Sequence, residues 1–432
     1  MAALHCVARK RSSVVVVAVV LLLTAGGCGL IGGSSGEEPS SPPAGTSEEP
    51  SAHDEVDPEQ VTLEEARRHL AQYNVVAATE LLAPLRSPEA DTVRSEIAAV
   101  EATLRPWPDN ATIPHIFFHS LIVDTALAFD GDEDSAGYDL YMATQAEFER
   151  TLESLYERGY ILVSPHDIAA KDDAGRMQYR PIMLPEGKHP IVLSQDDANY
   201  YDYMSGDGFA TRLVLRDGRV VNEYIDAEGA VHEGDYDIVP IVDRFVEQHP
   251  DFAYHGHKGV LAVTGYEGVL GYRTSPFDPP SPTFAEDQEQ AKEVAAALRD
   301  TGWEFASHSW GHIDLGTADF ARFQRDAQRW RDEVEPLVGP TDLLIYPFGA
   351  DIAGPEPYGG PKYDLFRELG FSYFFGVDGS TNAWHQLGGD YLRQARINID
   401  GIRLRGAIES GGGVLAPFFD PQSVIDTARP VG

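Results

Sequence analysis

The chain of 432 residues predicts an α/β fold whose parallel strands close into a barrel. Two observations carry this reading. From Pro114 onward, short apolar strands alternate with amphipathic helices, the pattern of a parallel sheet with crossover helices. The polar motifs Asp196-Asp197, His308 and Pro347-Phe348-Gly349 each follow the carboxyl end of a predicted strand. In a parallel barrel those ends converge on one face, so segments remote in sequence can meet there.

Residues 1–27 read as a targeting segment. Arg9, Lys10 and Arg11 form its charged region, and Val14 to Leu23 is an apolar stretch too short for a comfortable membrane span. The stretch ends in Thr24-Ala25-Gly26-Gly27-Cys28, which resembles a bacterial lipoprotein cleavage site, although Ala25 stands where leucine is usual. The expectation is a lipid on Cys28 that anchors the mature chain to the extracytoplasmic face of the membrane, in the cell envelope. Residues 28–58 are rich in Gly, Ser, Pro and Glu and read as a disordered tether. Cys6 and Cys28 are the sole cysteines, so the mature domain has none for a disulfide or a thiolate metal site.

The net charge is −36, and loss of the three basic signal residues makes it more negative still. Such acidity argues against nucleic acid as a partner, because phosphate contacts need Lys and Arg. Neutral or cationic substrates are compatible with it.

Residues 59–106 predict a helical hairpin. Thr62 with Glu65 has the capping-box pattern, Leu63, Ala66, Leu70 and Tyr73 recur at helical spacing, and a break at Ser87-Pro88 precedes Val93, Ile97, Val100 and Leu104. The barrel domain spans 107–432. Its predicted strands are His115 to Val123, Tyr160 to Ser164, Pro190 to Leu193, Gly259 to Thr264, Trp303 to Ser307, Leu343 to Tyr346, Tyr373 to Val377 and Arg396 to Ile399. The intervening helices are Gln145 to Arg158, Ile238 to Gln248, Glu286 to Thr301, Phe320 to Leu337 and Tyr363 to Leu369. An insertion at about 205–237 carries a hairpin signal, Asp217-Gly218 between two alternating runs.

His308 and His312 can point the same way from one helical turn or tight loop, and a carboxylate from elsewhere can complete a facial two-histidine, one-carboxylate metal site. Adjacent aspartates let one ligate while the other handles protons. A lone His-x-x-x-His is weak evidence, but with Asp196-Asp197, in this order and at strand ends, it gains specificity.

On these residues the chain resembles the polysaccharide deacetylases of carbohydrate esterase family 4, over roughly Ile113 to Pro417. The family's Thr-Phe-Asp-Asp motif reads Ser194-Gln195-Asp196-Asp197, and its His-Ser/Thr-x-x-His motif is present in full as His308-Ser309-Trp310-Gly311-His312. Its Arg-x-Pro-Tyr motif reads Ile345-Tyr346-Pro347-Phe348. The segment Phe117-Phe118-His119-Ser120 is similar to the family's early Tyr-His strand.

The resemblance implies a deformed (β/α)7 barrel and a divalent metal, zinc first, with cobalt, nickel or manganese as alternatives. It implies that Asp197, His308 and His312 ligate the metal, that Asp196 is the general base, and that an N-acetylated glycan is the substrate. A backbone N–H after Pro347 is a candidate oxyanion donor. The chain also departs from the pattern. Ile345 replaces the arginine that orients the base, and Arg396 is the candidate substitute. The Leu-x-His motif that supplies the acid has no copy, so the identity of the acid stays open; His119, at the first strand end, is a candidate proton donor, substrate contact or structural residue. Tyr200, Trp310, Pro347 and Phe348 are candidate substrate contacts. An O-deacetylase, another amide hydrolase on the same metal, and a glycan-binding protein without turnover stay open. The acidic run Asp130 to Asp134 lacks the glycine and the terminal glutamate of a calcium loop and reads as solvated.

Overall fold

A computed structural model describes residues 57–276 and 282–430. The targeting segment, Cys28 and nearly all of the predicted tether lie outside these residues. Among the described residues no helix is long and apolar enough to cross a membrane.

The N-terminal segment forms three helices where the sequence suggests two: α1 (Pro58–Ala71), α2 (Val75–Leu82) and α3 (Pro88–Glu101). Tyr73 takes a left-handed φ of 61°, and the Asn74 side chain then caps α2 by accepting from Ala77 N–H. The cap of α1 is Asp57 with Pro58 at the first position, so Thr62 lies inside the helix and donates to the Pro58 carbonyl. Leu63, Ala66, Leu70, Ala78, Leu82, Ala90, Val93 and Ile97 form a small apolar core of their own. The bundle meets the barrel through stacking of Tyr73 on Tyr254 and a bond from His255 N–H to the Gln72 carbonyl.

Seven parallel strands close the barrel: β1 (His115–Phe118), β2 (His189–Gln195), β3 (Gly259–Val263), β4 (Trp303–Ser307), β5 (Leu343–Ile345), β6 (Tyr373–Val377) and β7 (Leu392–Asn398). The order runs β1-β2-β3-β4-β5-β6-β7 and returns from β7 to β1. Closure is uneven. The first half of β2 pairs with the side strand Tyr160–Leu162, and only Ser194 and Gln195 reach β3. The last strand begins at Leu392, four residues before the predicted start, because Leu392 to Ala395 pair in register with Tyr373 to Gly376 of β6 rather than forming a loop.

Alternation with period two sorts the strand residues. Val192, Val260, Ala262, Ala306, Ile345, Phe375 and Leu392 cluster in the lumen, while Ile116, Leu193, Leu261, Phe305, Leu344 and Phe374 pack outward against the helices. Those helices include α4 (Gln145–Glu157), α5 (Ile238–Gln248), α6 (Phe284–Asp300) and α7 (Phe320–Glu333). Ala210–Arg216, Arg219–Ile225 and Val231–Gly234 form a separate three-stranded antiparallel sheet. Its first turn has positive φ at both Asp217 (50°) and Gly218 (80°), the conformation that a two-residue hairpin needs.

At the amino ends of the strands, His166 bridges two carboxylates, with Nδ1 2.6 Å from Glu304 and Nε2 2.9 Å from Asp342. Burial opposes its charge, but the two hydrogen bonds outweigh it and raise its pKa to about 10 from an ordinary 6.5. A raised pKa gives stability that is complete below the unfolded value and is lost as pH climbs through the folded one. Thermal stability should therefore decline between pH 6.5 and 10 more steeply in the native protein than in His166→Phe. Parallel melting curves for the two proteins across that range would refute the assignment.

Candidate active site at the carboxyl face of the barrel

β2 delivers the aspartate pair. Asp196 N–H donates to the Phe118 carbonyl at 2.8 Å, which continues the ladder with β1 for one more residue. Asp197 then turns left-handed, with φ 58°, and the two neighbouring carboxylates part. Asn199 locks the turn, accepting from Thr264 N–H and donating to the carbonyls of Thr264 and Gly268. Asp197 accepts the Tyr201 hydroxyl on Oδ1 at 2.6 Å, and its Oδ2 lies 3.7 Å from His312 Nε2. Tyr201 is itself tied to Thr264 Oγ1 at 2.8 Å. One carboxylate oxygen is thus engaged by the protein while the other faces the histidines.

His308 and His312 come from a loop, not a helix. Ser309 and His312 have φ of 58° and 48°, and the loop is pinned where the N–H groups of Trp310 and Gly311 donate to the two oxygens of Asp326, on α7. Sparsely populated backbone at Asp197, Ser309, His312 and Phe348 gathers at this one face, as is common where geometry serves function. His308 Nδ1 lies 2.9 Å from the Ile345 carbonyl. A carbonyl only accepts, so Nδ1 holds the proton and the Nε2 lone pair is free to ligate. Burial drives the His308 pKa down to about 4, which keeps the ring neutral as a ligand must be. Ligand atoms of Asp197, His308 and His312 all lie within 4.8 Å of one another.

Arg396 faces Asp196 as a fork. Its terminal nitrogens lie 2.5 and 2.9 Å from Oδ1 and Oδ2, and its side chain is fully buried. Ser194 Oγ and the Gly376 carbonyl accept further bonds, and the Phe117 ring lies 4.1 Å beneath the guanidinium. Burial works against ionised Asp196, but Arg396 and then His308 overcome it and lower its pKa to about 2. Ile345 stands where the resembling family carries its arginine, and it contributes its backbone carbonyl to His308.

His119 follows β1, half-buried, with its ring against Phe117. Phe348 is 72% exposed and sets its ring 4.5 Å from His312, while Pro347 is buried beneath it. Three expected substrate contacts are corrected, the buried Pro347 among them. Tyr200 is 2% exposed, and its hydroxyl accepts from Asn222, so no glycan reaches its face. Trp310 is sandwiched: Arg329 lies 3.2 Å over its ring, its indole N–H donates to Glu333, and a Cβ on Gly265 would collide with it. Both aromatic residues therefore pack the scaffold. His385 bonds the Ile113 carbonyl, before β1 begins, which removes it from the site. Sequence reasoning did not single out Asn199 or Asp326. Each acts by a side-chain bond to a loop that no spacing rule encodes.

No family model and no curated protein matches the chain. Among solved structures it is similar to the Streptococcus pyogenes deacetylase PplD in complex with acetate, at 16% identity and TM-score 0.38, over 67% of this chain and 93% of that one. It is also similar to a Mycobacterium smegmatis protein whose name assigns it provisionally to the polysaccharide deacetylases, at 16% identity and TM-score 0.23. That second likeness covers 38% of this chain and 62% of the other.

Proposed function

We propose that the chain is a metal-dependent deacetylase that hydrolyses N-acetyl groups on an N-acetylhexosamine polymer of the cell envelope. The observation that carries this reading is the convergence of Asp197, His308 and His312 beside a second carboxylate, Asp196, held by Arg396. A pure binding site has no need of that second, separately oriented carboxylate. The donor set fits a divalent cation, with zinc as the first choice and cobalt, nickel or manganese as alternatives. Bound there, the cation supplies Lewis acidity toward an acetyl carbonyl and acidifies a water.

The chain's own residues do the rest. Asp196 accepts the proton of the attacking water, and Arg396 keeps it ionised and aimed. The fork lowers basicity but guarantees the base form at every working pH. In this reading His119, which follows β1, protonates the leaving amine or contacts the sugar, and Phe348 offers an apolar face beside His312. Products are acetate and an amino sugar. The test is acetate release from chitooligosaccharides or peptidoglycan fragments by the full chain with added zinc. A chelator should abolish it. Release from O-acetylated glycans alone would make the protein an esterase, and bound metal without any release would make it a glycan-binding protein.

The envelope address belongs to the same reading. The Cys28 setting supports a lipid anchor that tethers the barrel at the membrane surface within reach of a polymer. Cys28→Ala should move the protein from the membrane fraction to the soluble fraction and abolish incorporation of labelled fatty acid. Unchanged membrane retention would refute the anchor.

A further inference from the structure

Beneath the catalytic layer the barrel lumen carries a polar layer that the reaction does not consume. His115 is fully buried, with Nδ1 3.0 Å from Gln394 Oε1 and Nε2 2.9 Å from Ser194 Oγ. Ser194 Oγ in turn lies 3.2 Å from an Arg396 terminal nitrogen. Ser194 and Gln394 are 0% and 1% exposed, so none of these groups can turn to solvent.

The direction of each bond is fixed by its far end. Gln394 Nε2 donates to the Ile113 carbonyl, so Oε1 is the atom presented to His115. An amide oxygen only accepts, hence His115 Nδ1 carries the proton and Nε2 is an acceptor. Ser194 must give its hydroxyl proton to that Nε2, which turns its lone pairs toward the guanidinium. Burial, with the Arg396 charge nearby, pushes the His115 pKa well below 6.5, in keeping with a neutral ring.

We infer that His115 is a positioning residue of the active site: through Ser194 it sets the orientation of Arg396, and thereby the fork that aims Asp196. The inference rests on the deacetylase reading above. A protonated or absent ring would leave the Ser194 proton to compete with the guanidinium for the same space. An apolar ring such as phenylalanine would fill the lumen, yet leave Ser194 free to rotate and Arg396 short of one acceptor.

The experiment compares His115→Phe, His115→Gln, Ser194→Ala and the double variant His115→Phe/Ser194→Ala in the full chain loaded with zinc. Its readouts are kcat, KM, bound zinc per chain, and the side-chain 15N signal of Arg396, identified by its loss in Arg396→Lys. His115→Phe and Ser194→Ala should each lower kcat about 10–100-fold, the range for partners that orient a metal-site group, with KM and zinc content unchanged. The double variant should be no worse than the poorer single one, because both break one chain of bonds. His115→Gln, whose amide can donate to Gln394 and accept from Ser194, should stay within about threefold of the native kcat.

Native kcat in His115→Phe, multiplicative losses in the double variant, or equal losses in the Gln and Phe variants would overturn the inference. If the native protein released no acetate from any N-acetylated glycan, the functional reading would fail before any variant was compared. The Arg396 signal would then decide on its own: a shift in His115→Phe sustains the positioning role, and an unmoved signal overturns it.

Discussion

Asp196→Asn should lower kcat by about 10²–10⁴-fold, the usual contribution of a positioned general base, while bound zinc stays at the native level. The separation follows from the geometry. The three candidate ligands are Asp197, His308 and His312, and the substitution leaves each in place with its own support: Tyr201 on Asp197, the Ile345 carbonyl on His308. An amide at this position cannot take a proton from water.

A second effect should accompany the first. Arg396 is fully buried, and in the Asp196→Asn variant it loses its bonded carboxylate while keeping Ser194 and the Gly376 carbonyl. Removing one member of a buried ion pair costs about 3–5 kcal/mol, because the remaining charge stays desolvated. The smaller figure is expected, since the amide oxygen can still accept one bond. Adding Arg396→Met to the variant should restore much of the stability and none of the activity. Denaturant unfolding and acetate release measure the two effects on the same protein. Full activity in Asp196→Asn would remove the base from the mechanism.

How much of this could be read from sequence varies with the physics of each feature. The seven barrel strands and their helices follow from local apolar patterning, which the chain states residue by residue. The convergence of Asp197, His308 and His312 was legible because the two histidines share one short motif, and both it and Asp197 sit where strands end. Arg396 was a candidate without a partner: pairing it with Asp196 requires β7 to lie beside β1 and β1 beside β2, which only closure of the barrel supplies. The errors have a common source as well. Tyr200 and Trp310 lie close in sequence to the motifs, but proximity along a chain says nothing of which way a ring points. The Tyr200 hydroxyl turns to Asn222, and Trp310 lies between Arg329 and Gly265. The polar lumen layer was invisible for a related reason. His115 looks like an isolated polar residue at the start of an apolar strand, Ser194 and Gln394 fall outside the predicted strands, and only their shared depth in the barrel makes them a chain.

His308→Ala should fail in the opposite manner to Asp196→Asn, losing metal and turnover together. A site of two histidines and one carboxylate loses a third of its donors, and the remaining pair cannot hold zinc against a chelator buffer. Stability carries the same information without any substrate. A ligand that binds only the folded chain stabilises it by about 2.7 kcal/mol at a hundredfold excess over Kd, so zinc should raise the native melting temperature and leave that of His308→Ala unmoved. Comparison with His312→Ala sharpens the test. The two side chains are 2% and 23% exposed, so in metal-free protein His308→Ala should cost about 2–3 kcal/mol for the cavity it leaves. His312→Ala should stay within about 0.5 kcal/mol of native. Both must nevertheless abolish the zinc-dependent rise. If either variant kept that rise in full, its histidine would not be a ligand. If Asp196→Asn lost it, the division between metal-holding and proton-handling carboxylates would fall, because the two aspartates would then be acting on the cation together.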